Sequence, residues 1–406
     1  MELFVGIDVS KAFNVGCGLL SNREVVLKKY HFANSLDGAE ALRENLLSLV
    51  EKFPVDAVKL GVESTSFYHY HLAHYMVSLQ ERFPVPITVY CFNPSLIKAF
   101  KKTYPKRGKN DAYDAYVIAE RVRHGSQLPH PFEVNDMYQP LQRLTRYRFH
   151  VVGSLIREKS YFLNMLFLKF NTFETTDLSN VFGQTSLAVL SEFHSPDEIV
   201  NTPLADLAAF LREKSRNKLE APDDLAEQIQ KVARNAYRLS PNMNDSLQCV
   251  LRMSMLNIQM LEKHIAQTDK IIAKSMQGIQ TPLPSIPGFG PVITAGLVAE
   301  IGSVERFSDQ AKLAKYAGLT WNEHQSGDFV GDETPLNRSG NAYLRYYFVQ
   351  GAEQVRKRIP EYAQYYQKKH QEATTHAHRR ALVLTARKLV RLVYTLMQTN
   401  QLYRPS

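Results

Sequence analysis

The sequence predicts an α/β domain followed by a mostly helical remainder, and three observations carry that division. Apolar runs of strand length, separated by turn residues, are confined to the first quarter of the chain. From about residue 135 onward apolar residues recur at helical spacing instead, and the stretch 141–170 contains no proline. The chain of 406 residues also exceeds a single core, since domains average roughly 100–200 residues, so two or three units are expected. The boundaries expected are 1–130 for the α/β domain, 131–281 for a helical coiled-coil region, and 282–406 for a small, mostly α domain.

The runs LFVGIDVS, NVGCGLL and REVVLKKYHFA read as a meander of three strands. Leucines at helical spacing predict a helix over 36–52, VDAVKLGVES predicts a strand ending at Glu63, and a helix over about 66–82 leads to the strand PITVYCF. The stretch KRGKNDAYDAYVIAERVRHG then opens a last helix, giving the order βββ-αβ-αβ-α, and no GxGxxG is present. In the middle, Leu251, Ile258, Ile265 and Ile272 fall seven apart with Leu247 and Leu261 interleaved, a heptad seam interrupted by Ser254 and Thr268. That seam suits either a bundle core or a dimerisation arm. The segment 171–225, broken by Asp, Ser, Thr and Pro, reads as looser. Toward the end come IPGFGPVITAGLVAEIG, a loop over 322–340 rich in Gly, Asp and Ser, the helix NAYLRYYFVQGAEQVRKR, and a basic, His-containing helix over 376–398.

Composition narrows the class. An apolar share of 44% and a charged share of 22% are those of a globular protein, and a net charge of +9 fits a polyanionic partner. Three scattered cysteines, Cys17, Cys91 and Cys249, form no metal or redox spacing and read as reduced thiols. The N-terminus lacks a basic segment before an apolar run, and no stretch approaches the ~20 apolar residues of a membrane span. A cytoplasmic protein with no membrane attachment is expected.

Chemistry is expected first at carboxylates. Asp8 ends the first strand behind buried-looking Val5 and Ile7, and a charge there must be solvated, paired or metal-bound. Glu63 ends the fourth strand in the same way, while Asp111 and Asp114 occupy one face of the opening turn of the last helix. As a pair at a helix start those two acids are also explained by the helix dipole alone. Together, four carboxylates at strand ends and on one helix match an RNase H-like fold whose hard oxygen donors suit Mg²⁺ or Mn²⁺ and a phosphodiester. The cations Lys98, Lys101, Lys102, Lys106, Arg107 and Lys109, interleaved with Tyr104, lie directly before the acidic pair and read as a phosphate-backbone contact or a solvated loop.

Two further features carry weaker signals. Gly288 and Gly290, set between prolines before a small-residue helix, resemble the hairpin of a helix-hairpin-helix element that binds phosphate, or else a tight turn. Ser339 stands where an N-cap is expected, whereas Ser326 in NEHQSGDFVGDE has no helix after it. Spacing alone leaves Ser326 either a surface-loop residue or a nucleophile with no evident His–Asp partner.

Taken together, GIDVSK with Asp8, VEST with Glu63, and KNDAYDAYVIAE with Asp111 and Asp114 resemble the DEDD transposases of bacterial insertion sequences. The block from IPGFGPVITAGLVAEIG through QSG to SGNAYLRYYFVQGA resembles that family's second domain. The resemblance implies a RuvC-like first domain and a recombinase that excises and inserts mobile elements. It implies a structured guide RNA (a bridge RNA) that pairs with donor and target DNA, and a homodimer or homotetramer. It also implies that Ser326 attacks a DNA phosphate to form a covalent phosphoserine link, with the four acids holding Mg²⁺ beside it. Arg338 and Arg345 are then candidates for neutralising the attacked phosphate. One departure is Ser339 itself, at a position where many relatives carry Lys or Thr. The alternatives are a metal-only nuclease resembling a Holliday-junction resolvase and a non-catalytic nucleic-acid-binding protein.

Overall fold

The computed structural model describes residues 1–406 except 105–109, 127, 136, 177, 179, 322–324, 327–328, 331–335, 338 and 406, and gives only the backbone of 325–326 and 329–330. The chain divides into two compact units, 1–136 and 137–406.

The first unit begins with a meander of β1 (Glu2–Val9), β2 (Phe13–Leu20) and β3 (Val25–Ala33). Helix α1 (Leu36–Lys52) follows, its first turn capped by the Ser35 hydroxyl, which accepts from the Gly38 amide at 3.3 Å. Then come β4 (Ala57–Glu63), α2 (Tyr70–Ser78), β5 (Ile87–Phe92), α3 (Pro94–Lys101) and α4 (Asp111–His124). The sheet order is β3-β2-β1-β4-β5, with β1 antiparallel to β2 and parallel to β4. Parallel neighbours need a crossover, which α1 and α2 provide. In β1 the period of two is plain: Leu3, Val5, Ile7 and Val9 join the core on one face, while Phe4 packs with Val117, Ile118 and Val122 of α4 on the other.

Helix α2 starts at Tyr70, later than expected, after Ser66 in the left-handed region at φ 52°. Helix α3 was not expected: Asn93 caps it by accepting from the Ser95 amide at 2.9 Å, and Pro94 occupies its first turn. The first half of the basic run is therefore helical, with Lys98 and Lys101 in the last turn of α3.

The second unit opens with α5 (Tyr138–Lys169), then α6 (Gln184–Glu192), α7 (Pro196–Asn201), α8 (Leu204–Lys214), α9 (Pro222–Arg234) and α10 (Pro241–Met276). Helices α5 and α10 run antiparallel: Lys169 bonds Gln248, Lys159 pairs with Glu262 at 2.7 Å, and Arg148 pairs with Asp269 at 2.5 Å. Of the heptad residues, Leu247, Leu251, Ile258 and Ile272 are buried, as are the interrupting Ser254 and Thr268, whereas Leu261 and Ile265 are half-buried. Ser254 donates to Glu158 at 2.6 Å and Thr268 to the His264 carbonyl at 2.7 Å, so the polar interruptions are satisfied. The occupant of the seam within the chain is thus its own α5.

The segment expected to be loose is instead four short helices sharing a core with the end of that pair, including Phe162, Leu190, Leu207 and Ile229. Its prolines and serines are helix starts rather than breaks: Ser195 caps α7, and Pro196 and Pro222 open α7 and α9.

The unit ends with α11 (Pro291–Ile301), α12 (Gln310–Tyr316), β6 (Thr320–Trp321), β7 (Gln325–Ser326), β8 (Phe329–Val330), β9 (Leu336–Asn337), α13 (Ala342–Arg358), α14 (Pro360–Gln371) and α15 (Ala377–Thr399). One core, including Leu297, Phe348, Leu389 and Val393, holds these helices together. Tyr347 lies beneath Gly296, where any Cβ would overlap its ring, and donates to the Thr145 carbonyl at 2.9 Å. Among the described residues no helix is long and apolar enough to cross a membrane.

Candidate active site

Asp8 and Glu63 leave the same end of neighbouring parallel strands, one residue beyond the register pair Ile7 and Val62. The pair before that is Gly6 and Gly61, so both strands read Gly-x-acid. A Cβ on Gly6 would overlap the Ala115 carbonyl and the Ala119 amide nitrogen, and one on Gly61 would press on Val122 and Ile118. The two glycines therefore let α4 lie directly on β1 and β4, which delivers its first turn to the strand ends. Spacing-based reading missed them, although the repeated Gly-x-acid was visible. Gly6→Ala is expected to push α4 away at a cost of about 1–3 kcal/mol, measurable by denaturant unfolding. Activity should fall further than that loss explains, because the acids separate.

Asp8 senses the other three carboxylates. Asp8 is pushed up from 3.8 to about 6, first by burial and then by the charges of Asp114, Asp111 and Glu63, with Lys101 acting in the opposite direction. The Lys101 ammonium is paired with Asp114 and lies 5.4 Å from the centroid of the Tyr113 ring. Glu63 accepts a hydrogen bond from the Thr65 hydroxyl at 3.0 Å, and Asn110 caps α4 so that Asp111 and Asp114 fall in its first turn. The helix-start reading of the acidic pair therefore holds, and the same turn sets both charges where Asp8 senses them. Among the described residues no group of three or more His, Cys, Asp or Glu side chains is drawn tightly enough to enclose a metal ion. Lys98 and Lys102 are exposed beside Lys101, while Lys106, Arg107 and Lys109 lie outside the described residues.

Glu120 also went unremarked in the sequence. Only 2% exposed, it accepts from Arg123 at 2.8 Å, from Tyr116 at 3.3 Å and from Tyr104 at 3.4 Å. Through Tyr104 it ties α4 to the chain segment that carries the cations.

In the second unit, Ser326 lies on β7, whose backbone pairs with β8. Its loop leaves the helical core at Gly318 and returns at Gly340, and these two backbones touch: a Cβ on Gly340 would overlap the Gly318 nitrogen and the Tyr316 carbonyl. Gly318 has φ +66°, a conformation that favours glycine. The short pairing of β6 with β9 continues from this neck. Arg345 lies there too, its Nη1 donating to the Ala317 carbonyl at 3.2 Å, whereas Arg338 lies outside the described residues.

The expectation for Ser339 is corrected. Its hydroxyl donates to Asn337 Oδ1 at 2.6 Å, and Asn341 caps α13 instead, accepting from Tyr343 and Leu344 amides at 3.0 and 3.1 Å. The helix begins at Ala342, leaving Ser339 too far upstream to cap it. Gly288, at φ +92°, and Gly290 border a cavity of about 320 Å³ with Arg148, Tyr346 and Gln350, at the N-terminus of α11.

Two family models meet these two sites. Residues 5–171 match a model of IS110-type DEDD transposases, described as Transposase, and residues 280–367 match the Transposase IS116/IS110/IS902 family. The chain belongs to the IS110 family of insertion-sequence transposases. Asp8, Glu63, Asp111 and Asp114 fall within the first matched span of this transposase, and Gly288, Ser326, Gly340 and Arg345 within the second. Curated relatives agree in kind. The insertion element IS116 uncharacterized 44.8 kDa protein of Streptomyces clavuligerus is 26% identical over 309 residues, covering 75% of this chain and 74% of its own. The pilin gene-inverting protein of Moraxella bovis is 22% identical over 403 residues, 98% of this chain and 97% of that protein. The transposase for insertion sequence element IS1111A of Coxiella burnetii is 28% identical over 124 residues, 30% of this chain and 32% of that one.

Proposed function

We propose that this transposase excises and inserts its element by strand exchange in DNA. The observation that carries the reading is the convergence of Asp8, Glu63, Asp111 and Asp114 from β1, β4 and α4, beside the cationic end of α3. The strand order, antiparallel then parallel with α4 across the centre, supports an RNase H-like, RuvC-like assignment for 1–130. The donor set suits Mg²⁺ or Mn²⁺ in kind: the carboxylates are hard ligands, and the burial and neighbouring carboxylates that raise Asp8 penalise a charge that a divalent cation would offset. Bound there, the ion would stabilise charge developing on the attacked phosphate. Lys98, Lys101 and Lys102, with Lys106, Arg107 and Lys109, hold the DNA backbone over the acids.

Ser326 attacks the phosphorus through its hydroxyl oxygen. The P–O bond to the leaving strand breaks, the serine proton is lost and the leaving oxygen gains one, and a phosphoserine link remains. An incoming DNA hydroxyl then reverses the chemistry, so no ATP is consumed. Arg338 and Arg345 neutralise the phosphate, and Gly288 and Gly290 expose backbone amides to a second phosphate. The family resemblance brings with it a homodimer or homotetramer in which the acids of one subunit and the serine of another complete one site.

Target choice by a structured guide RNA comes with the family resemblance, leaving this chain to grip backbone and A-form shape. Sequencing the nucleic acid that co-purifies with the protein tests it: a discrete short RNA encoded beside the gene is expected, and its absence from active protein contradicts guiding. The acid cluster is tested by pH. Asp8 must be ionised to act, so strand exchange should rise through about pH 6, and the pH of half-maximal rate should move lower as Mg²⁺ is raised. A midpoint indifferent to Mg²⁺ would contradict the site.

A further inference from the structure

Glu300 in α11 is a carboxylate with its side chain 0% exposed, in the core of the second unit. It accepts from Arg146 Nε at 2.7 Å, from Arg146 Nη2 at 2.8 Å, from Gln142 at 3.3 Å and from Asn341 Nδ2 at 2.7 Å. Arg146 is itself fixed, its guanidinium 4.6 Å from the centroid of the Tyr343 ring. Asn341 has no freedom of orientation either. Its Oδ1 accepts the Tyr343 and Leu344 amides, and its Nδ2 faces Glu300 and, at 3.3 Å, the Tyr316 hydroxyl. Its own amide donates to the Tyr316 carbonyl at 2.6 Å, directly beside the contact of Gly340 with Gly318.

One carboxylate thus joins α5, α11 and the start of α13 at the neck of the loop that bears Ser326. A buried ion pair adds little net stability compared with apolar residues of the same shape, so stability is a poor reason for it. What it does provide is a single permitted geometry. We propose that Glu300, with Arg146 and Asn341, is a positioning device that fixes the neck of the serine loop and sets the rate of strand cleavage without touching DNA. This deepens the serine reading above and rests on it.

A charge swap tests it in the full-length protein. Asn341→Asp leaves the capping oxygen in place but sets a second carboxylate against Glu300. Strand exchange at saturating DNA should slow by about 30-fold or more while DNA affinity stays within about twofold, since the two carboxylates repel at contact and the DNA surface is untouched. Adding Glu300→Gln restores a donor–acceptor pair, because the glutamine amide donates to the new carboxylate, and should recover the rate to within about fivefold of wild type. Wild-type rates in Asn341→Asp, or a double variant no faster than the single, would overturn the proposal. So would a rate loss matched by an equal loss of DNA affinity, the outcome of a merely structural role. If Asn341→Asp folds poorly, Arg146→Lys keeps the charge but removes the paired donors. It should slow exchange by about tenfold at unchanged affinity, and an unchanged rate would overturn the proposal. Assaying the wild-type protein–DNA adduct in parallel separates the two readings. Exchange without adduct defeats the serine mechanism, whereas adduct formation without coupling between 300 and 341 defeats only the neck.

Discussion

Asp8→Asn should abolish strand exchange and at the same time make the protein more stable. The rate loss expected is on the order of 10³-fold, about 4 kcal/mol, as for removal of a ligand that places a metal on the reacting phosphate. The stability gain follows from the raised carboxyl. Asp8 ionises at 3.8 when unfolded but only near 6 when folded, so the folded state holds its proton more tightly. Stability therefore falls as pH rises from about 4 to about 6 and stays lowered above that window. At pH 7 the penalty is up to about 3 kcal/mol, and an asparagine of the same shape removes it. Thermal unfolding at pH 7 without divalent ions should show Asp8→Asn above wild type, and at pH 4 the two should converge. Mg²⁺ should then raise the melting temperature of wild type and leave the variant unmoved. DNA affinity should persist in Asp8→Asn because the cations of α3 are intact. Retained exchange, or a variant less stable than wild type at pH 7, would contradict an acid cluster built for a cation.

Ser326→Ala should remove the covalent step altogether. Loss of a nucleophile typically lowers turnover by about 10⁴-fold or more. Ser339→Ala is the informative companion. The Ser339 hydroxyl is committed to Asn337 Oδ1 at 2.6 Å, which makes it part of the loop's closure. That variant is expected to keep exchange within about tenfold of wild type, the cost of one neutral hydrogen bond in the loop. Equal losses in the two variants would show that the loop matters while its nucleophile lies elsewhere.

Much of the first unit was legible because its signals are local. The alternation of Val5, Ile7 and Val9 marks β1, and Asp8 stands out as the acid set between its last two core residues. The Asp111–Asp114 spacing places both acids on one turn whatever else surrounds them. The features that escaped depend on residues far apart. Gly6 and Gly61 look unremarkable until β1 and β4 are paired in register and α4 descends on both. Glu300, in LVAEIG, reads as an ordinary helix glutamate, because its partner Arg146 is 154 residues away. Ser339 looked like the cap of α13, but Asn341 stands nearer the first turn and its amide also serves Glu300. The four short helices between α5 and α10 were hidden because Ser and Pro at helix starts look the same as Ser and Pro in loops.

The most direct test joins both units. Wild-type protein is incubated with its DNA substrate and Mg²⁺, quenched in denaturant, and the protein–DNA adduct is digested and mapped by mass spectrometry. The modification is expected on Ser326 alone, and the adduct should vanish in Asp8→Asn and Asp114→Asn while DNA binding remains. Complete strand exchange with no adduct, or a phosphate found on Ser339, would contradict the mechanism.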